Sequence, residues 1–268
     1  MLGLVSLNRF PSNPQMHICD PQQFLSILDK DTYSSIEDRF GEIERFLGPG
    51  DKFKFTCDRS GRCCRNRTDN SIILSPHDSY RLQQNLELGS ADFTELYAQR
   101  VLGADSHLPM LLLRFQRSGH RENKCPFLES SGCTVYQDRP LVCRMYPVGR
   151  MVDRDMKSYF FLTKAAEYCK LGRGKEYTIE QWLEETGSEP YCNWNDRFSS
   201  LYMEMDYEKF RALPRRYKAT LGRFLYEFDQ LENVLADDPV VSRYLAKRDG
   251  RLHASYHAAK TLIERMMA

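Results

Sequence analysis

The sequence predicts an α+β fold: a small mixed or antiparallel sheet with a cysteine-rich, loop-built metal centre, flanked by N- and C-terminal helices. Three observations predict it. Apolar residues recur at helical spacing toward both ends, most clearly at Tyr217, Leu221, Phe224, Leu225, Phe228, Leu231 and Leu235. Short apolar runs of strand length fill the middle. Seven of the nine cysteines fall between residues 57 and 169, in stretches rich in glycine and proline. These patterns divide the chain into an N-terminal helical extension (1–50), a cysteine-cluster domain (51–175) and a C-terminal helical region (176–268).

Asp20-Pro21 can cap and open a helix through Phe24, Leu25 and Leu28. Ile36, Phe40, Ile43 and Leu47 then form one apolar stripe at spacings of four, three and four, which reads as a second helix closed by Gly48-Pro49-Gly50. From Lys52 the period changes. Phe53 and Phe55 alternate with polar residues as a short strand leading into Cys57, and Ile72-Ile73-Leu74 is a second strand. Ser75-Pro76-His77-Asp78 starts a helix, with proline at its first position and an acid in its first turn. Asp92 to Val101 reads as helix, and Met110 to Phe115 as a strand apolar enough to be central.

Ser130-Ser131-Gly132 makes a turn, Cys133 to Tyr136 reads as extended, and Pro140 opens a helical turn carrying Cys143. Tyr159 to Leu162 is a fourth strand, and Cys169 sits in a loop closed by Gly172 and Gly174. Beyond Lys175 the chain is helical again. The stripe from Tyr217 to Leu235 covers about five turns, Asp237-Asp238-Pro239 breaks it, and a last helix runs toward Met267.

Clustered thiols mean disulfides or a metal. A chain of 268 residues buries a full core without cross-links. The N-terminus shows no signal-peptide pattern, and no apolar run approaches a membrane span. A cytoplasmic, reducing location follows as the expectation, and there a cysteine cluster favours metal. With a net charge of +1, the composition carries no footprint for nucleic acid or membrane. Arg59, Arg62, Arg65 and Arg67 surround the first cysteines, either as a solvated loop or as counter-charges for an anionic thiolate site.

The segments FKFTCDRSGRCCR and CPFLESSGCTVYQDRPLVCRMYP, followed by Cys169 and its glycines, resemble the CxxCxxCC or YkgJ-like cysteine-cluster family. The resemblance covers roughly residues 52 to 174. That family is ascribed a zinc- or iron-chelating role and includes relatives of flagellin lysine N-methylases. The resemblance implies that Cys57, Cys63, Cys64, Cys125, Cys133, Cys143 and Cys169 occupy metal-binding positions. Ser60 stands where the family usually has a cysteine, so an eight-thiol set is reduced to seven. His77 is a candidate for the missing ligand. His107 and His120 are weaker ones, and His253 and His257 are spaced as a pair on one helix face. Tyr136, Arg139, Arg144 and Tyr146 belong to the motif, as donors to cluster sulfurs, as binders of an anionic ligand or as anchors of the loop. Cys19 and Cys192 stand outside the pattern.

Seven thiolates fit an iron–sulfur cluster of the [4Fe–4S] type, in which four cysteines hold each cubane. Such a protein would be a metal-binding one with a redox or protein-modifying role and a protein partner or substrate. Zinc is the alternative cofactor, in a structural interaction module. A lysine methyltransferase-like enzyme is the third reading, although no nucleotide-binding glycine fingerprint follows a strand.

Overall fold

The computed structural model describes residues 18–25, 43–65, 71–118, 122–163, 171–231, 244–245 and 249–268. In chain order the elements are α1 (Pro21–Leu25), β1 (Ile43–Leu47), β2 (Phe53–Phe55), a 3-10 turn (Arg62–Cys64), β3 (Ser71–Leu74), α2 (Pro76–Leu86), α3 (Ser90–Tyr97), β4 (Ala98–Leu102), β5 (Pro109–Arg114), β6 (Gln116–Ser118), β7 (Glu122–Lys124), β8 (Leu128–Glu129) and β9 (Gly132–Cys133). A second 3-10 turn (Tyr136–Asp138) leads into α4 (Leu141–Met145), β10 (Val148–Val152), β11 (Ser158–Thr163) and β12 (Lys175–Tyr177). The remaining helices are α5 (Ile179–Thr186), α6 (Glu189–Met203), α7 (Tyr207–Ala212), α8 (Arg215–Tyr226) and α9 (Gly250–Met267). The class is α+β, with small antiparallel sheets and a mostly helical C-terminal third.

Two hydrophobic cores organise these elements. In the larger, β5 lies between β3 and β4. The inward residues Ile72, Leu74, Leu111, Leu113 and Ala98 meet Leu82 of α2, Phe198 of α6, Leu225 of α8 and Ala259 of α9. In the smaller, the β1-β11-β10 sheet and the β2-β12 ribbon bring Leu47, Phe53, Phe55, Phe160 and Leu162 against Trp182 of α5. Trp182 meets both phenylalanines of β2 edge-on, at centroid distances of 5.7 and 5.6 Å, and its indole N–H donates to the Met145 carbonyl at 2.8 Å. Burying a side chain of that size contributes about 1.5–3 kcal/mol. Helix α6 touches both cores, through Cys192 in the smaller and Phe198 in the larger. Arg150 of β10, its side chain 4% exposed, forks onto Asp196 of α6 with both bonds at 2.7 Å. Two parallel charge-assisted bonds from its terminal nitrogens offset part of the cost of burying the guanidinium.

Several expected elements are present: the helix opened by Asp20-Pro21, the strands at Phe53, Ile72, Met110 and Tyr159, and the helix begun by Ser75. Asp20 caps α1 by accepting from the Gln22 N–H at 2.9 Å. Ser75 and Asp78 form a reciprocal capping box. Five expectations are corrected. Ile43 and Leu47 lie in strand β1, paired with β11, rather than on a helix. The helix expected over Asp92 to Val101 ends at Tyr97, where β4 takes over. The piece from Cys133 to Tyr136 is a strand end followed by a 3-10 turn. Lys175 to Tyr177 pairs with β2 before the helices begin. Helix α8 stops at Tyr226, and Phe228 and Leu231 are buried from the segment that follows it. Phe40 and the break at Asp237-Asp238-Pro239 lie outside the described residues.

Candidate metal centre

The first thiol group hangs from β2. That strand is held by Trp182 on one side and by β12 on the other, so Thr56 and Cys57 leave it from a fixed point. The chain then turns, with the Asp58 carboxylate accepting from the Ser60 N–H at 3.0 Å. Gly61 follows at φ +68°, in the left-handed region open to glycine. It also passes so close to the hairpin beyond that an added Cβ would stand 2.4 Å from Leu128 Cδ1. Immediately after it, the 3-10 turn closes with the Cys64 N–H bonded to the Gly61 carbonyl at 3.0 Å. Gly61→Ala is therefore expected to cost about 1–2 kcal/mol from backbone conformation alone, and more from the Leu128 contact. Urea unfolding of the metal-free protein measures it.

The second group arrives on the β8–β9 hairpin. Its base is joined to the first group by the Cys125 N–H donating to the Cys64 carbonyl at 2.9 Å. Leu128 pairs with Cys133 across the hairpin, and Phe127, Leu128 and Val135 root it in the larger core. Cys143 comes from α4, whose first turn follows Pro140. It packs against the larger core, as do Cys64 and Cys133.

Cys64 is in contact with Cys63 and Cys125, and Cys133 is within electrostatic reach. The sulfurs of Cys63 and Cys64 stand 3.8 Å apart. The hydrogen-bonded thiol of Cys125, and then burial, push the Cys64 thiol up to about 12, while the bond to Cys63 pulls the other way. Cys133 lies within electrostatic reach of Cys64 and Cys63. Burial raises the Cys133 thiol against the Val135 N–H and Arg139, which lower it. Arg139 is a shared neighbour of Cys133 and Cys143, and burial pulls it below its ordinary value. Its guanidinium lies 4.0 Å from the centre of the Tyr136 ring, and Arg59 lies 4.6 Å from the same ring. One tyrosine thus ties the arginine-rich first loop to the second. Among the described residues, no three Cys, His, Asp or Glu side chains are yet arranged to hold a metal ion.

Cys57 is exposed at the end of β2. Cys169 lies outside the described residues. The chain re-enters them beside Cys57, with the Gly172 N–H bonded to the Lys54 carbonyl at 2.7 Å and Gly174 against Thr56. Ser60 is exposed. His77 is only 6% exposed and is set edge-on to Tyr191 at 4.5 Å and parallel to Trp194 at 6.2 Å, in the α2–α6 contact. His107 Nδ1 lies 3.5 Å from Lys218 Nζ, and His120 is outside the described residues. His253 and His257 share the Tyr244 ring, parallel to His253 at 5.4 Å and tilted to His257 at 6.3 Å. Cys192 is fully buried with its sulfur 3.8 Å from Met145 Sδ. Cys19 donates its N–H to the Ser158 carbonyl.

Sequence reasoning missed the polar network behind the second thiol group. Arg81 and Asn85 of α2 both donate to Asp138 at 2.9 Å. Buried Arg144 donates to the Thr186 carbonyl at 2.6 Å, to Tyr191 Oη at 3.1 Å and to the Gln137 carbonyl. Two parts of it were legible: Asp78 as the acid in the first turn of its own helix, and Arg144 as one of the motif residues that could anchor the loop.

Among the described residues, no helix is long and apolar enough to cross a membrane. No curated protein and no solved structure matches the chain. Residues 56–170 match the model of the CxxCxxCC family, described as a putative zinc- or iron-chelating domain. All seven thiols singled out by spacing fall inside that match, so this part of the chain is similar to the CxxCxxCC domain.

Proposed function

We propose that this domain binds iron through Cys57, Cys63, Cys64, Cys125, Cys133, Cys143 and Cys169, as an iron–sulfur cluster of the [4Fe–4S] type. What supports the reading is that Cys64 touches Cys63 on its own loop and Cys125 on the second, with Cys133 within electrostatic reach. The donor set fits the group. Four thiols are the complement of one cubane, and thiolate is the donor that iron–sulfur clusters take. Arg139, within electrostatic reach of Cys133 and Cys143, would serve as counter-charge for a net-negative centre. Residues 51–175 house the site and residues 176–268 pack on it. Cys57, Cys64, Cys125, Cys133 and Cys192 form no disulfide, in keeping with the reducing cytoplasm proposed here. Bound there, the cluster would supply one-electron chemistry, and a redox or protein-modifying role with a protein partner or substrate rests on that.

Anaerobically purified protein tests the reading, by visible absorption together with iron, sulfide and zinc analysis. A brown protein with acid-labile sulfide is the expected result. A colourless protein holding zinc alone would overturn it in favour of a zinc-stabilised interaction module.

A further inference from the structure

Asp78 does more than its own helix requires. It is 3% exposed, and its Oδ2 accepts from the Ser75 N–H at 3.0 Å and the Ser75 hydroxyl at 2.8 Å, which completes the capping box of α2. Its Oδ1 reaches elsewhere, accepting from the Leu141 N–H at 2.8 Å. Leu141 is the first residue of α4, and its cap position is Pro140, which has no side-chain acceptor to offer. The first N–H groups of any helix lack partners within it. Asp78 fills that need from another helix, and so sets where α4 begins. Cys143 lies two residues further on.

The flanking residues are held in the same way. Arg81 and Asn85 fix Asp138 just before α4, and Arg144 anchors its last turn to Thr186 and Tyr191. Buried charges are a weak route to stability, since apolar side chains of similar size commonly do as well. What this network does supply is position. The segment it holds runs between Cys133 and Cys143, one thiol at each end.

We propose that Asp78 is a positioning residue of the metal site: by capping α4 it presents Cys143 toward the thiols gathered by the two loops. The inference rests on the metal-binding reading. A partner of this kind behind a metal ligand is worth about 10- to 100-fold in affinity.

The test uses the full-length chain loaded anaerobically with zinc, titrated against a chromogenic chelator, and in parallel loaded with cobalt. Asp78→Ala is expected to weaken zinc binding by about 10- to 100-fold and to weaken the thiolate-to-cobalt charge-transfer band. Ser75→Ala removes the cap of α2 but leaves the bond to Leu141. It should lower thermal stability while leaving zinc affinity and the cobalt band unchanged, a split that a merely structural role for Asp78 would not produce. Leu141→Pro deletes the donor from the other side, at a first-turn position that tolerates proline. It should reproduce the Asp78→Ala band and is the variant to read if Asp78→Ala does not fold. Wild-type metal affinity in both variants overturns the inference alone. A wild-type chain that takes up no metal overturns the metal-binding reading and this inference with it.

Discussion

Cys64→Ser is expected to strip the protein of its metal while leaving the fold intact. Its neighbours are the Cys63 sulfur at 3.8 Å, the hydrogen-bonded Cys125 thiol and, within electrostatic reach, Cys133. Serine keeps the shape and the backbone carbonyl that binds the Cys125 N–H, so the loop geometry survives the change. It replaces a soft thiolate with a hydroxyl that thiophilic metals bind poorly. The expected loss of affinity exceeds the roughly 100-fold typical of an outer-shell partner, and elemental analysis after anaerobic purification reads it directly. Cys192→Ala is the matched control. That thiol is fully buried against Met145 in the smaller core. Its removal should leave metal content unchanged and cost about 1 kcal/mol of stability. Equal metal loss in both variants would show that the effect is general unfolding rather than lost ligation.

The second large effect is acid sensitivity seated at His77. Burial, then Arg81 and Arg144, hold this imidazole down at about 3, with Asp138 opposing them. Unfolded, the same group takes a proton near its ordinary 6.5. Between those two values the unfolded chain therefore binds one more proton than the folded one, and stability falls as the pH drops through that window. From neutrality to about pH 5 the loss amounts to about 2 kcal/mol. His77→Phe keeps a ring against Tyr191 and Trp194 but cannot titrate. Its stability should fall by about 2 kcal/mol less than that of wild type over the same interval. Guanidinium unfolding at the two pH values measures the difference, and parallel losses in both proteins would rule His77 out as the source.

Local rules reached the parts of this fold that are locally determined. Ser75-Pro76-His77-Asp78 announced α2 because the proline at its first position and the acid of its first turn lie within four residues. Strand β1 was misread for a physical reason. Its register with β11 shifts between Ile43 and Arg45, so inward positions fall at Ile43, Phe46 and Leu47 instead of alternating. A bulged strand seen in one dimension imitates a helical stripe. Helix α3 passes straight into β4 with no glycine or proline between Tyr97 and Ala98, so nothing in the sequence marked the change. At the site, spacing singled out the thiols, because several cysteines in one stretch are rare without a partner. Their support was not legible. Asp78 meets Leu141 across 63 positions and Arg81 meets Asp138 across 57, and no local rule reads such distances. His77 looked like a ligand in waiting because proximity along the chain says nothing about which way a helix presents its side chain.

Most of both cores is built from side chains other than the thiols of the series. Leu74, Leu111, Phe160 and Leu47 are completely enclosed, whereas of the described cysteines in the series only Cys125 is buried. Small zinc modules collapse when stripped because metal bonds stand in for a core. With this much apolar packing outside the proposed site, stripping the metal with a chelator is expected to leave the fold standing, and far-ultraviolet circular dichroism before and after chelation checks it.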